Sequence, residues 1–137
     1  MESGDDIELA AARAARQLLL AADPDHRGEV SPATLQEAHV ILALEEAGEL
    51  AGPVSRSAGH GDCTDANGQD WDVKRYRDDV TRPPFDVEVV LEDIRFEVMC
   101  GENVILDLTG LRDRRNRSAV RQAVEAVGLE EHVRWYE

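Results

Sequence analysis

The spacing of apolar positions changes several times along this chain, and each change marks an element. Residues 5 to 22 are rich in Ala and Leu, almost continuously apolar around Leu18-Leu19-Leu20. They predict a helix that Asp5 or Asp6 can cap. Ala22-Asp23-Pro24-Asp25-His26-Arg27-Gly28 is a connector. Counted from Asp23 it fails as an EF-hand loop, because Arg27 and Thr34 take positions that need oxygen-rich or bidentate acidic ligands. Ser31-Pro32, with Thr34 after it, opens a second helix through Leu35, Ile41, Leu42 and Leu44 to a stop at Gly48. Residues 50 to 57 predict a short strand, weakened by Gly52-Pro53. Strands at roughly 60–66 and 69–76 flank Asn67-Gly68, and Arg82-Pro83-Pro84 breaks the chain after them.

Helical spacing returns from about Asp86 to Cys100, with Val87, Val90, Leu91, Ile94 and Val98 as the apolar stripe and Gly101 as the stop. Val104-Ile105-Leu106-Asp107-Leu108 is a strand apolar enough to be central in a sheet. A fourth helix covers roughly 117–127, with Ala119, Val120, Ala123, Val124 and Val127 inward and Gly128 as its end. His132 to Tyr136 is a last short strand, and this strand–helix–strand ending predicts a right-handed parallel crossover. Residues 1–30 read as an N-terminal helix and connector, and 31–137 as one α/β domain, with no internal repeat.

The hairpin carries the candidate chemistry. A two-residue Asn-Gly turn sets Asp72 opposite Cys63. A three-residue loop, Ala66-Asn67-Gly68 with Gly68 left-handed, pairs Asp65 with Gln69 and sets Asp62 opposite Asp72. The second is preferred, because a type I turn followed by a left-handed Gly is the common three-residue loop. Period-2 alternation then places Asp72 and Lys74 on one face, with Asp62 across from them. Like charges directly opposite destabilise a strand pair by up to about 1 kcal/mol. A divalent cation between them reverses that sign, and Mg²⁺ is held by one or two carboxylates together with phosphate oxygens. Lys74 then stands where it can orient or deprotonate the attacking water, or balance charge on phosphorus. The competing reading is an exposed strand face carrying ordinary charges. Among the neighbours, His60 is a ligand or a solvated side chain. Asp65 is the first residue of the turn. Asp70 is read as a solvent-side charge, and Asp107 as lying near the site or at the sheet edge. Trp71, Trp135 and Tyr136 are read as packing residues.

Charge narrows the function classes. The formal net charge of −14 argues against a protein that coats nucleic acid. The charge is uneven, however. Residues 1–50 hold three Arg against eleven Asp and Glu, whereas Arg112, Arg114, Arg115, Arg117 and Arg121 crowd one region with only Asp113 among them. Such a patch attracts phosphate, or is a solvated helix start. No apolar run is long enough to span a bilayer, and the acidic start Met-Glu-Ser-Gly-Asp-Asp lacks the features of a signal peptide. A cytoplasmic protein with no membrane contact and with Cys63 and Cys100 reduced is expected.

With Asp62 on one hairpin strand, Asp72-Val73-Lys74 on the other, and helix, strand, hairpin, helix, strand as the order of elements, residues 31 to 137 resemble the PD-(D/E)XK nuclease superfamily. The Gly61-Asp62 … Gly68 … Trp71-Asp72-Val73-Lys74 run, followed by a helix and Gly101-Glu102-Asn103-Val104-Ile105-Leu106-Asp107, is also similar to nuclease domains of bacterial polymorphic toxins. The resemblance implies a restriction-endonuclease-like core (α-β-β-β-α-β), a mixed sheet flanked by helices, with an extra N-terminal helix. That helix, beginning with its own Met, departs from a toxin tail, and Gly61 stands where the motif often has Pro. The resemblance also implies a Glu from the first core helix, for which Glu37 is the candidate and Glu45 the runner-up. It implies Mg²⁺- or Mn²⁺-dependent hydrolysis of nucleic acid, with DNA placed ahead of RNA. Asp62, Asp72 and Glu37 then serve the metal, Lys74 the nucleophile, and Arg112, Arg114, Arg115 and Arg117 the phosphate backbone. Two alternatives remain open. One is a non-catalytic adaptor of the same fold, and the other an immunity-type protein that meets a basic partner through its acidic surface.

Overall fold

The structure, a computed structural model, describes residues 4–22, 27–57 and 61–137. His60 and the centre of the first connector lie outside them. The chain begins with α1 (Gly4–Ala21), whose first turn holds Asp5 and Asp6. Ser31 caps α2 (Pro32–Glu46), and a reciprocal capping box with Thr34 satisfies both backbone donors at that end. Three strands follow: β1 (Ser55–Arg56), β2 (Cys63–Thr64) and β3 (Asp70–Arg75). Then come α3 (Val87–Met99), β4 (Asn103–Asp107), α4 (Arg114–Ala126) and β5 (Val133–Tyr136).

The sheet order is β1-β2-β3-β4-β5, with the first two pairings antiparallel and the last two parallel. Each face carries its own core. On one side, Trp71, Val73 and Ile105 pack with Ile41, Leu42 and Leu44 of α2 and with Leu20 and Ala21 of α1. On the other, Val104 and Leu106 pack with Val90, Leu91 and Ile94 of α3 and Val120 and Val124 of α4. Burying each of these aliphatic side chains contributes about 1.5–3 kcal/mol. β4 is covered on both faces, which is why it reads as an unbroken apolar run.

Several boundaries differ from the sequence reading. The first strand is only two residues long. Leu108 leaves β4 for a 3-10 turn, because the Asp107 carboxylate accepts the Thr109 N–H at 3.0 Å. α4 starts at Arg114 rather than 117, because Asp113 caps it through the Arg115 N–H. Val127 is the C-cap of that helix and is exposed instead of inward. His132 belongs to a 3-10 turn before β5. No helix among the described residues is long and apolar enough to cross a membrane.

Candidate active site

The hairpin loop spans three residues. Gly68 has φ +80°, its N–H donates to the Asp65 carbonyl, and the Asp65 N–H donates to the Gln69 carbonyl. Asp65 is more than a turn former. Its buried carboxylate accepts the N–H groups of Asn67 and Gln69 and the indole N–H of Trp71 at 3.0 Å. Cys63 therefore faces Trp71, Thr64 faces Asp70, and Asp62 comes opposite Asp72.

β2 pairs with β3 only as far as Cys63, so the edge of β3 beyond Trp71 meets a side chain instead of a strand. Asp62 fills that role: its Oδ2 accepts the Val73 N–H at 2.8 Å. The register places the Asp62 carboxyl across the hairpin from the Asp72 carboxyl. Burial pushes Asp62 up to about 7. The Val73 N–H opposes that rise, and the negative charges of Glu37 and Asp72 add to it. The two aspartates thus face one another across the hairpin, and the charge of Glu37 reaches Asp62 from α2, on the other face of the sheet. Glu37 lines a groove there with Gln36, Val73, Arg75, Arg77 and Asp107.

Lys74 points to the same face as Asp72. Its Nζ lies 2.8 Å from Asp72 Oδ2 and 3.1 Å from Glu97 Oε1. Burial lowers its pKa, but these two carboxylates outweigh burial and raise it, so it stays an ammonium. Glu97 comes from the last turn of α3. There the chain stops in a Schellman motif, with Glu102 N–H donating to the Glu97 carbonyl at 2.9 Å and Gly101 N–H to the Val98 carbonyl at 3.1 Å. Gly101 takes the left-handed turn at φ +85°. The same motif brings the Glu102 side chain back onto Glu97. Glu102 is 5 % exposed, and burial, then the hydrogen bond and charge of Glu97, push it up to about 7. Asp72, Glu97 and Glu102 each offer an oxygen within 4.8 Å of the others.

Sequence reasoning missed Glu97 and Glu102. A signal was present: Glu97 falls seven residues after Val90 and three after Ile94, on the inward stripe of α3. A carboxylate at a core position requires a cation or a proton nearby. Asp70 also differs from expectation. It is half-buried on the Asp72 face, accepts the Thr64 hydroxyl at 2.6 Å, and is not a solvent-side charge. Asp107 is 1 % exposed and accepts from Gln36, Thr109 and the Thr109 hydroxyl. Glu45 lies outside the site, where it binds Arg16 at 2.6 Å and caps the Val54 N–H, fastening α1 to α2. Cys63 is buried and Cys100 exposed, both free.

The arginines begin at the opposite end of β4 from Glu102. Arg115 pairs with its own helix cap Asp113, Arg117 donates to the Leu111 carbonyl, and Arg121 pairs with Glu137. Arg112 and Arg114 line the mouth of a cavity there.

The donor set is made of carboxylate oxygens, and burial and crowding push two of them, Asp62 and Glu102, up to about 7. Such a set suits a hard divalent cation, Mg²⁺ or Mn²⁺, in preference to a thiolate- or imidazole-binding metal. Compared with known proteins, the chain matches no family model, no curated protein and no solved structure.

Proposed function

We propose that this chain is a metal-dependent phosphodiesterase that hydrolyses nucleic acid, DNA ahead of RNA, through a PD-(D/E)XK-type site on a restriction-endonuclease-like core. The observation that carries this reading is the register that sets Asp62 opposite Asp72, with Asp62 Oδ2 on the Val73 N–H and the Lys74 ammonium 2.8 Å from Asp72. Asp62 and Asp72 would hold the cation, with Glu37 adding charge from α2. When bound, Mg²⁺ or Mn²⁺ supplies Lewis acidity at the phosphoryl oxygens and lowers the pKa of water. With a cation between the two aspartates, Asp62 would bind it as the carboxylate, its proton passing to water. Lys74, held by Glu97 as well as Asp72, would offer its ammonium to the charge that builds on the phosphoryl group.

In a nucleic-acid cleavage assay with Mg²⁺ or Mn²⁺, Asp72→Ala and Lys74→Ala are expected to lose activity by at least about 100-fold while circular dichroism shows the native fold. Equal cleavage by wild type and both variants would contradict the proposal.

The net charge of −14 favours one other reading, a non-catalytic module that binds a basic protein. Mn²⁺ titration calorimetry separates the two, because only the hydrolase expects heat that Asp62→Ala removes.

A further inference from the structure

The groove beside Glu37 lies on the α2 face of the sheet and runs on toward the carboxyl end of β3. It shares Arg75 and Arg77 with a second depression, walled by Thr109, Gly110 and Arg112. That depression shares Thr109 and Arg112 with a cavity of about 670 Å³, open along Arg114, Arg117 and Arg121. Together they form a trough across the carboxyl ends of β3, β4 and β5. Six arginines line it against four carboxylates, Glu37, Asp79, Asp107 and Glu137, a local basic excess in a chain whose net charge is −14.

We propose that this trough is the track of one nucleic-acid strand, whose phosphodiester backbone passes from the groove beside Glu37 over Arg75 and Arg77 to Arg112 and Arg114. The proposal rests on the hydrolase reading and names the surface through which that site takes its substrate. The guanidinium groups of Arg77 and Arg112 are available for exchange, whereas Arg75 is held by the buried Asp107 at 3.6 Å. Arg77 pairs with Asp79 at 2.8 Å and Arg112 with the same carboxylate at 4.0 Å, with the arginine side chains 58 % and 81 % exposed. Surface pairs of this kind contribute little, and a phosphate offers the same bidentate geometry. The trough lining contains no aromatic ring on which a base can stack. It therefore holds backbone and is tolerant of sequence.

The test is fluorescence anisotropy of a labelled oligothymidylate, and of its duplex with oligoadenylate, in EDTA so that nothing is cleaved. Wild type is compared with an Arg75→Gln/Arg77→Gln double variant and an Arg112→Gln/Arg114→Gln double variant. Arg13→Gln is the control, because Arg13 pairs with Glu46 on the α1–α2 side. Each double variant is expected to bind the single strand about ten-fold more weakly at low salt. Its slope of log K against log salt falls by about 1.4, from about 0.7 per phosphate contact on a single strand. The control binds as wild type does. Unchanged binding and slope in both double variants would overturn the track, as would binding of the duplex alone or no binding in either arm. The two readings fail separately. A wild type that binds through these arginines yet does not cleave with Mg²⁺ or Mn²⁺ removes the hydrolase and leaves the track. One that cleaves while both double variants bind normally removes the track and leaves the hydrolase.

Discussion

Lys74 lies between two carboxylates and is the internal counter-ion of the acidic cluster. If Asp72 takes a cation, as proposed, Glu97, the second partner of Lys74, would be the positioning residue that keeps the ammonium in place. Glu97→Ala is expected to lower kcat by roughly 10–100-fold with little change in KM, the usual scale for groups that orient a metal-site residue. Glu97→Gln keeps an acceptor and should retain most of the activity, so steady-state kinetics on the pair separates positioning from mere packing. Asp62 and Glu102 make a different prediction. Both have pKa values raised to about 7 in the folded chain from ordinary values of 3.8 and 4.5. They bind protons more tightly when folded, so the stability they lend is complete below pH 4 and disappears as pH rises through 7. Asp78, Asp113 and Glu45 are shifted downward, and their contribution is lost only below about pH 4, outside that window. Metal-free protein should therefore lose at least about 1 kcal/mol between pH 5 and pH 8. Asp62→Asn should flatten the decline of Tm, measured by differential scanning calorimetry. A wild-type Tm that is level or rising across that range would remove the basis for a crowded carboxylate pair.

At the scale of elements, two local devices build the site: the hairpin loop and the stop of α3. The loop was legible in the sequence. Ala66-Asn67-Gly68 sets the register, the register sets Asp62 against Asp72, and alternation adds Lys74, with no long-range information needed. The stop of α3 was legible only in part. Gly101 announced the end of the helix, but the Schellman motif also folds Glu102 onto Glu97, and that contact depends on how α3 lies over β3. Glu37 was reached by resemblance alone, because a single Glu on a helix surface has no pattern of its own. The start of α4 was missed because Asp113 was read as part of a charge run and not as its cap. Gly101→Ala forces a side chain into the left-handed region with nothing within 4 Å to collide with, so it should cost about 1 kcal/mol. Gly128→Ala, at the equivalent stop of α4 with φ +73°, should cost the same. Only Gly101→Ala should also reduce cleavage, because only that stop carries two carboxylates of the cluster. Equal activity losses in the two variants would show that α3 acts through stability alone.

The whole molecule separates its charges in space. Acidic side chains dominate its composition, 29 against 15 basic, yet arginines line the carboxyl ends of the strands. The two helical layers serve the centre unequally. α1 and α2 contribute Glu37 from behind the sheet, fastened by the Arg16–Glu45 pair, while α3 contributes Glu97 from the front. Between them, at the edge of β3 left open by the short β2, Asp62 accepts the Val73 N–H. Everything proposed about chemistry depends on a cation taking that place. Crystals soaked in Mn²⁺ and measured at the manganese absorption edge test it most directly. The expected result is an anomalous peak bridging the carboxylates of Asp62 and Asp72, with Lys74 still on Glu97. A map with no peak between those two aspartates would contradict the account.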